Sequence, residues 1–504
     1  MRRSPRTILL AIGFGVFVAA DDLTVVTTML RPIIGDIGLI LPDDLDEAAW
    51  IVNAYLIAFV AVMPLAGRLS DRFGRRAVFT AGYTVFLVGT TVIPLASSLG
   101  PFLVGRVLTA VGGGAMLPVA LAVVGDIFPP EERARALGTL GAIETLGWVW
   151  GPLYGAALVR FLSWQWQFWL NIPLAIAGLL LAWWALAEES DSEAASPVDW
   201  IGALSLTGAL ITLSVALLGN AEVQSVSGLD ELAGTSSADF RWFYPVAVAL
   251  LVLFGWRQKK APVNLFDATS TSRPVWAALG VNGIVGTGLV ITMVDVPLYV
   301  NTAESNVKEA AVIAGFLLAA LTISMTVASY LGGRLSERAG ATVPTLAGLV
   351  LAVVAFVAMG LSWDDAVRYP LMAGHLALLG CGLGLVFAPT TGVVVDSAAP
   401  DQRGSAAAVV MAVRLVGFSI GLAGLTAYGL ARFDALRSRV DLPAITDPGF
   451  GGAVREAQAE VTATAIAETF LLAALVTALA GLSALALSSR PIIDEVLIDT
   501  DPVR

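Results

Sequence analysis

The chain is a succession of apolar stretches, most of them as long as the roughly 20 residues that a helix needs to cross a bilayer. Fourteen can be read, near 7–30, 47–66, 77–97, 99–125, 136–160, 166–187, 199–219, 243–257, 274–300, 309–332, 342–361, 369–395, 404–428 and 465–487. Inside hydrocarbon every backbone N–H and C=O must find a partner within the protein, and for segments of this length the α-helix is the solution. The expected fold class is therefore an all-α polytopic membrane protein. A charged fraction of 14% agrees with this, since a soluble domain carries about 25%. The 50 glycines suit close helix packing in lipid.

The same composition removes whole classes of function. One cysteine, Cys381, allows no internal disulfide, and with one histidine, His375, it leaves no donor set for a zinc, haem or iron–sulfur site. No metal and no cofactor are expected, histidine-based catalysis is nearly excluded, and the chain does not read as an enzyme. A net charge of −11 argues against a nucleic-acid partner. Arg2, Arg3 and Arg6 ahead of an apolar run ending at Ala20 resemble a cleavable leader. The apolar pattern resumes after Asp21 and Asp22, which favours a first membrane span.

Orientation follows from the basic residues, which concentrate on the cytoplasmic side of short loops. Arg68, Arg72, Arg75 and Arg76 crowd one such loop, which places both termini in the cytoplasm.

The chain repeats itself. Gly67-Arg68-Leu69-Ser70-Asp71-Arg72-Phe73-Gly74 returns in the second half as Gly333-Arg334-Leu335-Ser336-Glu337-Arg338-Ala339-Gly340. At nearly the same offset Asp126, Pro130 and Arg133 return as Asp396, Pro400 and Arg403, and Gly147 and Gly151 return as Gly417 and Gly421. Similar glycine-rich spans alone would not reproduce the charged loops. The expected layout is two six-helix bundles in parallel repeat, over 1–190 and 266–490, with two inserted linker helices over 191–265. Residues 429–464 read as an external helical hairpin and 491–504 as a cytoplasmic tail.

This layout resembles the major facilitator superfamily, in its 14-helix drug:proton antiporter branch, over nearly the whole chain. Gly67 to Arg76 is similar to that family's signature in the loop between helices two and three. Gly105-Arg106 followed by Gly112 to Gly114 resembles the fourth-helix motif, and Gly147, Gly151, Pro152 and Gly155 resemble the antiporter motif of helix five. Trp164-Gln165-Trp166 leading to Asn171-Ile172-Pro173 resembles the entry to helix six. Within the branch, Asp22 to Arg31, Glu144 to Gly155, Val294-Asp295-Val296 and Arg414 to Gly417 resemble the mycobacterial triacylglyceride exporters. Met29-Leu30-Arg31 stands where general drug exporters usually carry Ala-Leu-Pro, which favours that lipid-exporting subgroup.

The resemblance implies a proton-coupled secondary exporter of a triacylglyceride-like lipid or other hydrophobic molecule, working by alternating access in the bacterial inner membrane. The alternative is a broad multidrug:proton antiporter. Implied partners are the hydrophobic substrate, protons and membrane lipids, with room for a periplasmic lipid-binding lipoprotein at the hairpin. A monomeric chain is expected.

Physical reasons attach to the named residues. Gly67, Asp71, Arg72, Gly74 and Arg75 are candidate gating residues, because a carboxylate at Asp71 can accept from an arginine or from a helix amino terminus of the opposite bundle. Glu337 and Arg338 are their counterparts, but Ala341 and Thr342 replace Arg75 and Arg76, so the second lock is expected to be weaker. Ionisable groups within spans are costly and mark function. Six strong ones are Asp21, Asp22, Arg106, Glu144, Asp295 and Arg414. Glu144 and Arg414 hold equivalent positions of the repeat, and are expected to meet across the central pathway as a proton-sensitive pair. Asp22 is the acidic helix-one position of the family, expected to face the pathway as a further proton-coupling residue, with Asp21 nearer the interface. Arg106 is a structural or coupling charge of helix four. A packed polar role for each, without coupling, is the plainer reading.

Overall fold

The computed structural model describes residues 3–39, 45–187, 199–218, 240–260, 272–304, 307–364, 367–440 and 450–487. The acidic stretch from Glu188 to Glu193, most of the 220–242 loop, the Pro443–Gly452 turn up to residue 449, and the tail from Asp494 to Asp501 lie outside the described residues.

Among the described residues there are fourteen α-helices and no strand: α1 (Pro5–Asp36), α2 (Leu45–Phe73), α3 (Arg75–Val92), α4 (Leu99–Ile127), α5 (Pro130–Phe161), α6 (Gln165–Ala185), α7 (Trp200–Leu218), α8 (Phe243–Lys260), α9 (Arg273–Ala303), α10 (Val307–Ala339), α11 (Thr342–Ser362), α12 (Tyr369–Ser397), α13 (Arg403–Arg437) and α14 (Phe450–Ala484). They correspond one for one to the fourteen apolar stretches. Twelve are long and apolar enough to cross a membrane by length and hydropathy, and α5 and α8 are not. In α5 the shortfall comes from Glu144 and from the glycines and tryptophans around it, for the helix itself is 32 residues long. In α8 the apolar part covers only Phe243–Gln258.

Local chemistry sets several boundaries. Ser4 caps α1 by accepting from the Thr7 amide, with Pro5 opening the helix. Gly74 and Gly340 have φ of 88° and 74°. These are the two copies of one tight turn, α2 to α3 and α10 to α11, and a side chain is strained in that backbone region.

The helix neighbours repeat as the sequence does. In the first half α1 lies against α5, α4 and α6, α2 and α3 lie against α4, and α3 lies against α6. In the second half α9 lies against α13, α12 and α14, α10 and α11 lie against α12, and α11 lies against α14. The halves join chiefly through α2 with α13 and through α5 with α10. The inserted α7 packs on α2 and α13, and α8 packs on α7. Helices reverse direction in turn, so α1 begins and α14 ends at one face, called here the terminal face.

Helices α13 and α14 are each 35 residues, about 52 Å at 1.5 Å per residue against a hydrocarbon thickness of about 30 Å. Their excess length extends at the face opposite the termini. There Glu468 takes two hydrogen bonds from Arg432 and one from Tyr428, and Phe433 and Val461 form a small apolar contact.

Candidate functional site

Most of the buried charge in this fold falls into three groups, at mid-depth between the halves, inside the first half, and at the terminal face.

At mid-depth Arg414 of α13 reaches Glu144 of α5, with Nη1 3.7 Å from Oε2 and both side chains buried. The guanidinium is cradled from its own half. Its Nε and Nη2 donate to Asn282 Oδ1 at 3.3 and 3.1 Å, Nη2 lies 3.5 Å from Thr391 Oγ1, and the cation sits 4.1 Å over the Phe387 ring. Asn282 is oriented by its amide, which donates to Thr390. Glu144 has no such cradle: among the described residues Arg414 is the charged group that faces it. The pair lines a narrow, nearly closed cleft between the halves, with Ala20, Leu23, Phe59, Leu117, Trp148, Met411 and Leu415. Trp148 and Phe418 meet edge to face beside it. The cleft is smaller than an acyl lipid, so occupancy by one requires the halves to part.

Glycines bring these charges into place. A methyl group on Gly147 would fall 2.7 Å from the Phe17 carbonyl, and one on Gly151 2.9 Å from the Asp21 carbonyl, so the antiporter-type spacing lets α5 lie directly on α1. Gly155 continues the contact at Val25 and Thr28, and Pro152 follows Gly151 within the same helix. The repeat places Gly417 and Gly421 of α13 against α9 in the same way.

Inside the first half, Arg106 Nη1 is 3.1 Å from Asp22 Oδ2, and its guanidinium stacks 4.0 Å over Tyr55. Asp21 takes a hydrogen bond of 2.9 Å from Gln167 of α6. Asp22 differs from expectation: it turns toward Arg106 of α4 and does not line the cleft, while Asp21 is buried against α6. The cleft is lined on α1 by Ala20 and Leu23, which bracket the two aspartates. An unpaired carboxylate at this depth costs several kcal/mol, and Arg106 and Gln167 are the groups that relieve it.

At the terminal face the halves are bolted together. Asp71 Oδ1 accepts from the Gly404 amide, and Oδ2 accepts from the amide and hydroxyl of Ser405, at 2.7–2.9 Å. The carboxylate of α2 thereby caps the amino terminus of α13, where its charge is favoured. Gly67 sits on the Gly404 carbonyl. Arg75 bridges Asp71, Ser70 and Asp126. Arg72 stacks over Phe73, and no bond from it to the opposite half is seen among the described residues.

In the second copy Gly333 sits on the Ala134 carbonyl and Glu337 lies against the backbone of Arg135, the counterparts of Gly404 and Ser405. The contact is thinner, with one Glu337 oxygen left without a partner and Arg338 exposed and unpaired among the described residues.

Four residues that sequence reasoning used only to find the repeat belong to the contact between the halves. Arg133 pairs with Asp396, and Arg403 pairs with Asp126 at 3.1 Å. Each bridge crosses between the halves, and the two are exchanged by the repeat. Their constant spacing was the signal. Two further ionisable residues stand apart. Asp295 is buried with its Oδ2 unpartnered among the described residues, and His375 accepts from the Trp363 indole at 3.3 Å, as a packed polar residue would. Among the described residues no group of His, Cys, Asp and Glu could hold a metal ion.

Two parallel six-helix repeats with a charged cleft between them and a lock at one face define a transporter of the secondary type. The chain belongs to the Major Facilitator Superfamily, whose family model matches residues 12–422. It is 33% identical to a triacylglyceride transporter of Mycolicibacterium smegmatis, over 97% of this chain and 88% of that protein. A triacylglyceride transporter of Mycobacterium tuberculosis is 32% identical, over 86% of this chain and 85% of that protein. The solved proton:xylose symporter XylE has the same fold, with a TM-score of 0.61 at 12% identity, over 93% of this chain and 94% of its own.

Proposed function

We propose that the protein is a proton-coupled exporter of a triacylglyceride-like lipid or another hydrophobic molecule, working by alternating access in a bacterial cell membrane with both termini cytoplasmic. The observation that carries this reading is the Glu144–Arg414 pair on the cleft between the halves.

The two charges come from opposite halves, so their attraction favours the halves together at mid-depth. Protonation of Glu144 removes it and leaves Arg414 on its Asn282 cradle. A proton entering from the outer face thereby biases the halves apart, and its release to the cytoplasm restores the pair. The basic residues of the short loops support a cytoplasmic terminal face. With the Asp71, Arg133 and Arg403 contacts closed there, the cleft belongs to an outward-facing or occluded state. Substrate class rests on the relatives named as triacylglyceride transporters and on the apolar residues of the cleft. The α13–α14 hairpin is the surface suited to hand a lipid to a periplasmic lipoprotein.

The test is transport in proteoliposomes under an imposed proton gradient. Movement of a labelled triacylglyceride that collapses with the gradient is expected. Gradient-driven efflux of cationic drugs with no lipid movement would favour the multidrug alternative, and no transport of either would contradict the reading.

A further inference from the structure

Helices α1, α3 and α6 meet at Tyr83, whose hydroxyl lies where a methyl on Gly15 or Gly178 would stand. About 10 Å from that point toward the terminal face, at the rise of 1.5 Å per residue, is Arg76 in the first turn of α3. Arg3 stands ahead of α1, and Trp183 and Trp184 close α6. The Arg76 guanidinium sits 4.5 Å over the Trp183 ring, and that of Arg3 4.3 Å over the Trp184 ring. Two cations are thus held against neighbouring indoles on one helix end. Neither forms an ion pair with a carboxylate among the described residues, and Arg3 Nη1 and Arg76 Nε are buried without any hydrogen-bond partner there. The indoles themselves are 59% and 46% exposed, facing away from the bundle at the depth where tryptophan marks a bilayer interface.

We propose that Arg3 and Arg76, seated on Trp184 and Trp183, bind the phosphate of an anionic phospholipid in the leaflet at the terminal face. Stacking on an indole leaves the remaining guanidinium nitrogens, those not buried, open as donors, and a phosphodiester supplies both the missing charge and the acceptor oxygens. Basic pockets at helix ends on this side of a membrane take anionic head groups for the same reason. The outward faces of Trp183 and Trp184 offer the attached acyl chains an apolar wall. The rival occupant is the acidic segment from Glu188 to Glu193, which follows Trp184 in sequence.

The experiment is native mass spectrometry of the full chain after exchange into mixed phosphatidylglycerol and phosphatidylcholine. The wild type is expected to retain phosphatidylglycerol severalfold over phosphatidylcholine. Arg3→Gln with Arg76→Gln should abolish that preference. Arg3→Gln alone, at a position outside any helix, should reduce it and serves if the double variant is unstable. Neutralising Glu188, Glu189, Asp191 and Glu193 should preserve or raise it. Equal retention of both lipids by the wild type, or an undiminished preference in the arginine variants, would overturn the proposal. So would a preference that emerges only after the acidic segment is neutralised, since the chain would then occupy its own site.

Discussion

Glu144 and Arg414 hold equivalent places in the two repeats and meet across the interface between them, 3.7 Å apart and buried. The repeat has diverged here into opposite charges, so a symmetric pair of positions has become an attractive contact. Each residue stands three positions before a repeated glycine that packs its helix on a neighbour, Gly147 on α1 and Gly417 on α9. The contact is therefore held by rigid helix packing and broken only by relative movement of the halves or by a change of charge.

Removing one partner of a buried pair is far more damaging than removing both. Arg414→Met, which strands Glu144 and empties the Asn282 cradle, should cost about 3–5 kcal/mol. Glu144→Gln with Arg414→Met should restore much of the loss. Thermal unfolding of the purified variants in detergent reads this, and equal melting temperatures for the single and double variants would contradict the pairing.

The exchanged bridges at the terminal face can be tested by charge reversal. Arg133→Glu sets a second carboxylate against that of Asp396 across the halves, and should shift the population toward opening of that face. Adding Asp396→Arg should restore closure. Spin-label distances between the terminal-face ends of α5 and α12 give the readout. Failure of the second substitution to rescue the first would show that Arg133 and Asp396 do not act as a pair.

Asp71 should matter more than its counterpart Glu337. It makes three hydrogen bonds to the amino terminus of α13, whereas Glu337 keeps an oxygen without a partner among the described residues. Asp71→Asn is expected to open the terminal face, again read by spin-label distances between the halves, and Glu337→Gln to do so only slightly. A larger effect at Glu337 would reverse the assignment of the stronger lock.

The close approach of α5 to α1 predicts a steep dependence on side-chain size. Gly151→Val drives carbon into the Asp21 carbonyl and the Thr24 side chain and should abolish transport and lower the yield of folded protein. Gly100→Ala, with nothing within 4 Å, should leave both unchanged. Expression and gel-filtration profiles decide between them.

Much of this is legible in the sequence because charge and glycine are rare in spans and their spacing survives duplication. The fourteen helices follow from the apolar stretches, and the Asp71 lock and the Glu144–Arg414 encounter follow from the regular offset between the two copies. What spacing does not fix is which neighbour a side chain turns toward. Asp21 and Asp22 differ by about 100° around α1, and their partners Gln167 and Arg106 lie on two different helices far along the chain. The direction of Asp22 is a matter of tertiary packing. Arg72 is a similar case, since a basic residue in a loop satisfies the topology rule whether or not it reaches the other half. The cradle of Asn282, Thr390 and Thr391 is not legible, because neutral polar residues in a helix give a weak signal. The exchanged bridges are half-legible: their residues reveal the repeat, and only the packing shows that each pairs with the other half.

The most direct measurement is proton-driven substrate transport by Glu144→Gln in proteoliposomes, alongside the wild type and with folding checked by thermal unfolding. Glutamine keeps the shape of the side chain and removes its proton chemistry. Loss of gradient-driven transport in a stably folded Glu144→Gln protein is the expected result. Gradient-driven transport at the wild-type rate would contradict the coupling role given to the Glu144–Arg414 pair.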